Sequence, residues 1–60
     1  MSDFVAQITF TNDTQVNINA DWYEWYQTFL LFFANDSMDF FDKNNLKIVI
    51  INGETINIPN

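Results

Sequence analysis

Apolar and polar residues alternate in the first third of the chain. In residues 4–10 every even position is apolar, so these side chains fall on one face of an extended strand, and residues 15–19 repeat the alternation. Residues 11–14, between the two segments, consist of Asn, Asp and Thr, which favour turns. The pattern therefore predicts a β-hairpin over residues 4–19 with one solvated face.

A second hairpin is predicted over residues 46–58. Residues 46–51 are apolar at every position except Lys47, which is typical of a strand that is central in its sheet or covered on both faces. The dipeptide Asn52-Gly53 follows, and it favours a type I′ turn because both central residues of that turn need positive φ. The residues after this turn alternate again, as expected of a return strand.

The aromatic segment between the hairpins is predicted to be a helix over residues 22–35. Asp21, followed three residues later by Glu24, fits a capping box in which Asp replaces Ser or Thr. At 100° per residue the apolar side chains cover about 180° of the helix, more than the roughly 100° that a surface helix needs. The centre of this arc comprises Trp22, Tyr26, Phe29 and Phe33, and its flanks comprise Trp25 and Phe32 on one side and Tyr23 and Leu30 on the other.

The predicted fold class is α+β, a two-layer ββαββ arrangement forming a single domain over residues 1–60. In it, the helix packs across one face of an antiparallel sheet made of the two hairpins. One sheet cannot cover so wide an apolar arc. Either the connector of residues 36–45 folds over one flank, or the flank residues form an oligomer interface, for which the candidates are Tyr23, Trp25, Leu30 and Phe32.

The composition narrows the possible chemistry. The 60 residues include eight acidic residues, two lysines and no His or Cys, for a formal charge of −6. The chain therefore has no disulfide, no thiolate or imidazole metal ligand, and no nucleophile–histidine pair. Two lysines cannot neutralise a row of phosphates, which argues against direct nucleic-acid binding. We expect no cofactor and no enzymatic activity, because carboxylates and a few hydroxyls are the only catalytic material.

Membrane insertion and secretion are not expected. The longest apolar run, residues 29–34, is far shorter than the roughly 20 residues of a membrane span. The N-terminal residues lack the positive charge of a secretory signal. A cytoplasmic location is the expectation from these features.

The connector holds the only dense group of carboxylates, Asp36, Asp39 and Asp42. It lacks the residue order and the glycine of an EF-hand loop, so a specific cation site is not predicted. Neighbouring carboxylates would lie about 5–6 Å apart in a helix or about 10 Å apart in an extended chain. Either spacing permits imitation of nucleic-acid phosphates, which rise about 3.4 Å each along one strand.

A strongly acidic surface steers a protein toward basic partners, and basic clefts belong mainly to nucleic-acid-binding proteins. Aromatic side chains beside the carboxylates would supply the apolar anchors that charge alone does not give. The candidate partner-binding residues are Glu24, Asp36, Asp39, Phe40, Phe41 and Asp42.

In composition and expected architecture the chain resembles phage-encoded inhibitors that occupy the nucleic-acid-binding grooves of host enzymes. That class includes uracil-DNA glycosylase inhibitors, anti-restriction proteins and anti-CRISPR proteins. The resemblance implies a homodimeric inhibitor or regulator of a basic partner, acting by charge mimicry in the cytoplasm, that of the host cell if the chain is phage-encoded. The alternative hypothesis is a homo-oligomeric structural or assembly protein whose aromatic helix flank forms the subunit interface.

Overall fold

The computed structural model describes residues 2–59, and this part of the chain folds almost entirely as β-structure. One 3-10 turn, Lys43–Asn45, interrupts the strands. The seven strands are β1 (Phe4–Phe10), β2 (Gln15–Ala20), β3 (Trp22–Tyr26), β4 (Phe29–Phe33), β5 (Met38–Asp42), β6 (Leu46–Ile51) and β7 (Glu54–Ile56).

The strands form two antiparallel sheets. The first has the order β2-β1-β6-β7 and the second has the order β3-β4-β5. The chain passes from the first sheet to the second at Asp21, between β2 and β3, and returns through the 3-10 turn between β5 and β6. The two sheets are therefore joined by two bends at which one strand leads almost directly into the next.

Hydrogen bonds hold both bends. At the first, the Asp21 amide donates to the Phe33 carbonyl over 2.8 Å, and the Asp21 Oδ1 accepts from the Asp3 amide over 3.0 Å. At the second, the Asp42 side chain accepts from the Asn44 amide over 2.9 Å and so caps the 3-10 turn. These contacts satisfy backbone groups that have no strand partner where the chain changes sheet.

The hairpins at the two ends of the chain have the turns that their residues favour. Between β1 and β2, Asp13 adopts a φ of 68°, and the Asn12 Oδ1 accepts from the Thr14 amide over 3.1 Å. Between β6 and β7, Asn52 and Gly53 have φ values of 53° and 80°, the positive pair that a type I′ turn requires. The two hairpins join through β1 and β6 into the four-stranded sheet.

The prediction of a helix over residues 22–35 is wrong, and with it the α+β fold class. These residues form the β3–β4 hairpin, which turns at Gln27, where φ is 55°. Half of the segment is aromatic, and such side chains lose rotamer freedom in a helix but pack well on a pleated sheet. Asp21 caps no helix, since its carboxylate accepts the Asp3 amide instead.

Residues 36–45 are likewise more than a connector. Residues 38–42 of this segment form β5, the third strand of the second sheet, which pairs with β4 along its whole length. The segment therefore extends the sheet and does not fold over a helix flank.

The core lies between the two sheets and is apolar throughout. Its buried side chains are Ala6, Ile8, Ala20, Leu46, Val49 and Ile51 from the first sheet and Leu30 and Phe32 from the second. Phe32 is the largest of the fully buried side chains, and the Phe4 ring contacts it from the opposite sheet at a centroid distance of 6.4 Å. The packing of β4 against β1 therefore depends on Phe32.

A register shift in β6 turns Leu46 toward the core. Phe10 pairs with Leu46 and Thr9 pairs with Ile48, so Lys47 is the extra residue of a bulge. Leu46 and Val49 consequently both point into the core although they are three residues apart.

Truncation of Phe32 should remove a large part of the stability of the domain. Phe32→Ala is expected to lower the free energy of unfolding by about 3–5 kcal/mol. A domain of this size has only about 3–9 kcal/mol in total. Urea unfolding followed by circular dichroism measures the loss. Phe40→Ala, on the exposed side of the neighbouring strand, is the control. It should lower the free energy of unfolding by less than about 1 kcal/mol. Equal losses at the two positions would contradict the assignment of faces.

The turn between β6 and β7 can be tested through Gly53. A Cβ added there meets no atom within 4 Å, but the φ of +80° is unfavourable for an L-residue. Gly53→Ala should therefore cost about 1–2 kcal/mol of stability through the backbone alone. The mirror-image residue, D-Ala, prefers positive φ, so a chemically synthesised Gly53→D-Ala chain should keep its unfolding midpoint. The same midpoint for both chains would refute a positive φ at this position.

Candidate functional site

The outward side of the second sheet carries a nearly continuous apolar surface, called here the outer face. Strand register aligns its nine side chains in three rows. The rows are Trp22, Phe33 and Met38; then Glu24, Leu31 and Phe40; then Tyr26, Phe29 and Asp42. Seven of the nine are aromatic or aliphatic, whereas an outward sheet face in contact with water is usually polar.

The apolar side chains at the margins of the outer face are well exposed. Phe40 is 61% exposed, Trp22 is 60% and Tyr26 is 57%. The central strand contributes half-buried side chains, among them Phe29, which meets Phe40 edge-on at a centroid distance of 6.0 Å. The large exposed hydrophobic side chains of the first sheet, by contrast, are three aliphatic residues, Val5, Val16 and Ile48. Contiguous exposed apolar area of this kind marks interaction sites.

Both charged residues of the outer face are acidic. Glu24 accepts a hydrogen bond from the Trp22 indole Nε1 over 3.3 Å, while Asp42 accepts the Asn44 amide. Within residues 2–59 a single ion pair is formed, between Lys47 and Asp13 over 2.6 Å, and neither of its residues belongs to the outer face. The carboxylates of Glu24 and Asp42 therefore have no cationic partner in the described part of the chain.

The three connector carboxylates do not form a row. Asp42 points to the outer face, but Asp39 lies three residues earlier on the same strand and so points to the opposite side. Asp36 precedes the strand, in the loop between β4 and β5. No group of three or more acidic side chains in residues 2–59 is arranged to hold a metal ion. Imitation of consecutive phosphates by these three residues has no geometric support.

The adjacent aromatic residues Phe40 and Phe41 have different roles because neighbours on a strand point to opposite faces. Phe40 is exposed on the outer face. Phe41 points inward and packs against Phe10 and Phe32, at centroid distances of 5.7 and 6.1 Å. Of the six predicted partner-binding residues, the outer face therefore brings together Glu24, Phe40 and Asp42.

The four residues predicted to form an oligomer interface all point toward the core. Leu30 and Phe32 are fully buried, so a second copy cannot contact their side chains in the folded chain. Tyr23 and Trp25 are half-buried and pack against the same cluster. Their assignment depended on an exposed helix flank, and the structure has no such flank.

For the predicted helix of residues 22–35, the side chains expected to face the core point outward in the structure. The four residues expected at the centre of the helix stripe, Trp22, Tyr26, Phe29 and Phe33, all lie on the outer face. The polar pair Gln27-Thr28, between two apolar runs of five residues, was the sequence signal for a hairpin.

Comparison with protein-family models, curated proteins and solved structures gives no significant match to this chain. No helix within residues 2–59 has the length and apolar character needed to cross a membrane. The functional argument therefore depends on the geometry of the surface itself.

A shallow cleft lies at the bend between β2 and β3. Ser2, Asn19, Asp21, Ala34 and Asn35 line it. Asp21 is its one ionisable side chain, and its Oδ1 already accepts the Asp3 amide. The cleft thus lacks the converging ionisable groups that general acid–base chemistry uses.

The two tryptophans provide a test of the outer face. Acrylamide should quench the fluorescence of Trp22, which is 60% exposed, more strongly than that of the half-buried Trp25. The single-tryptophan variants Trp25→Phe and Trp22→Phe isolate the two signals. Trp22 should also emit at a longer wavelength, and unfolding in urea should remove the difference. A helix over residues 22–35 predicts the reverse order, so stronger quenching of Trp25 would contradict the structure.

Proposed function

We propose that this chain is a protein-binding module that engages a basic partner protein through its outer face. The observation that carries the proposal is the presence, on one side of a three-stranded sheet, of exposed aromatic side chains together with charges of a single sign. The proposal includes no catalytic step.

The aromatic side chains would supply most of the binding energy. Trp and Tyr are the residue types most often found at the energetic centres of protein interfaces. Full burial of one large apolar side chain contributes about 1.5–3 kcal/mol. Trp22, Tyr26 and Phe40 are each more than half exposed in the free chain, so a partner can remove substantial apolar area from water at all three.

The carboxylates determine the charge of the partner. An interface over the outer face would take Glu24 and Asp42 out of water, and a buried charge without a partner is strongly unfavourable. The complementary surface must therefore present cations opposite both positions. The net charge of −6 also increases the rate of encounter with a basic protein.

The partner class we propose is a nucleic-acid-binding protein, since broad basic patches are characteristic of such proteins. By occupying that patch the module would inhibit or regulate its partner in the cytoplasm, that of the host cell if the chain is phage-encoded. Glu24 and Asp42 are separated by two strand spacings across the sheet and by two residues along the strand, which places them about 12 Å apart. They are two separate charges and not a row, so charge mimicry is the smaller part of the recognition.

Self-association through the outer face is the second candidate, because the same exposed aromatic side chains favour it. Each outward residue of a sheet occupies about 33 Å², so nine project an area of about 300 Å². A stable interface takes about 800 Å² from each partner. A flat face against its own copy would also bring together two molecules of net charge −6. A basic partner removes the charge repulsion, and a partner with a cleft can bury more area by contacting the edges of the sheet as well as the outer face. We therefore prefer a basic partner.

The proposal is tested by passing a lysate over the immobilised chain and identifying the proteins that it captures. The lysate comes from the source cell, or from the host cell if the chain is phage-encoded. The informative variant is Phe40→Ser, with Ile48→Ser, an exposed position on the outward side of the first sheet, as the matched control. A specific partner should be basic and should be retained by the wild type and by Ile48→Ser. It should bind Phe40→Ser roughly 30-fold more weakly, because an interface residue of this kind contributes about 2 kcal/mol to binding. Its retention should also fall as salt rises.

Two results would overturn the proposal. One is that every captured protein binds Phe40→Ser and Ile48→Ser equally. The other is a sedimentation mass well above 7.1 kDa that returns to the monomer value in Phe40→Ser, which would assign the outer face to self-association.

A further inference from the structure

We infer that strand β3 carries a binding site for one arginine side chain of the partner, with Glu24 as its anion and the rings of Trp22 and Tyr26 as its walls. The inference rests on the proposed function and specifies the chemistry by which the outer face would recognise a basic protein.

Glu24 lies at the middle of β3, with Trp22 and Tyr26 two residues before and after it on the same face. Such neighbours are about 6.8 Å apart along a strand, and both of these rings are more than half exposed. Leu31 is the cross-strand partner of Glu24. The neighbours of the exposed Glu24 on this face are therefore Trp22 and Tyr26 along the strand and Leu31 across it. The side opposite Leu31 is open, since β3 is an edge strand of the sheet.

One hydrogen bond orients the Glu24 carboxylate and leaves its other acceptor positions available. The Trp22 indole Nε1 donates to Oε1 over 3.3 Å, which holds the carboxylate beside the indole ring. A carboxylate has about four acceptor positions, so one accepted bond leaves room for two parallel N–H donors. That is the bidentate arrangement in which a guanidinium binds a carboxylate.

Arginine fits these surroundings better than lysine. A guanidinium is planar, stacks on aromatic faces and is weakly hydrated, whereas an ammonium is a compact and strongly hydrated charge. Flanking Trp and Tyr rings add cation–π attraction within about 6 Å of a ring centre. The aromatic neighbours of Glu24 thus favour the cation that stacks on rings and loses less by leaving water.

Asp42, the other carboxylate of the outer face, is a poorer candidate. Its Oδ1 caps the 3-10 turn by accepting the Asn44 amide over 2.9 Å. Its shorter side chain lies next to Phe29 in the same row, and along its own strand it has an aromatic neighbour, Phe40, on one side only. Asp42 therefore serves as the matched control for Glu24.

The test is a titration of the ¹⁵N-labelled chain with N-acetyl-arginine amide, followed through the indole N–H resonances of Trp22 and Trp25. The Trp22 resonance should move saturably, while that of Trp25, on the inner side of the same strand, should stay in place. N-acetyl-lysine amide should bind at least about threefold more weakly, and the uncharged isostere N-acetyl-citrulline amide should cause no shift. Glu24→Gln should abolish the response, and Asp42→Asn should retain it.

An equal response to arginine and lysine, equal shifts of the two indoles, or an undiminished response in Glu24→Gln would overturn the inference. The titration needs no partner protein, so its outcome is independent of the capture experiment. If a captured partner is lost by Phe40→Ser but binds Glu24→Gln as tightly as the wild type, the arginine site is refuted while the protein-binding role stands.

Discussion

Strand β4 is apolar at all five of its positions, and this constraint determines the character of the molecule. Its alternate residues Leu30 and Phe32 fill the space between the sheets, where Phe32 meets Phe4 from the opposite side. Because side chains on a strand point alternately to the two faces, the remaining three residues of β4 must point away from the core. The same packing that stabilises the domain therefore leaves an apolar surface on its outside, and β3 and β5 extend that surface on both sides.

The sequence predicted the parts of the fold in which polarity alternates. Residues 4–10 alternate clearly, and Asn52-Gly53 specifies a tight turn through its positive φ values. The aromatic segment was mispredicted because an apolar run fits a helical period and a two-sided strand equally well. Once the period was wrong, the inner and outer residues exchanged places, as Trp22 and Trp25 show. Only the polar pair Gln27-Thr28 favoured a hairpin, and two residues are a weak signal beside seven aromatic ones.

The candidate site was predicted in part, and the reason lies in the geometry of β5. Phe40 and Asp42 were assigned to one binding surface and do share the outer face, since they are two residues apart on a strand. Phe41 and Asp39 were assigned with them by proximity in the sequence, but they point to the other side. Glu24 was proposed for its charge, and the helix cap predicted for it does not form. Its position beside Leu31 could be known only from the strand register.

The acidity of the chain has a consequence for its colloidal behaviour. Mutual repulsion between molecules of charge −6 keeps their aromatic sheets apart at neutral pH. This protection disappears near the isoelectric point, about pH 4.1, where only the hydrophobic attraction is left. The two open edges of the three-stranded sheet, β3 and β5, would then be free to pair with those of other copies. The carboxylates thus keep the molecules dispersed at neutral pH, and the chain should precipitate as the pH falls toward 4.1.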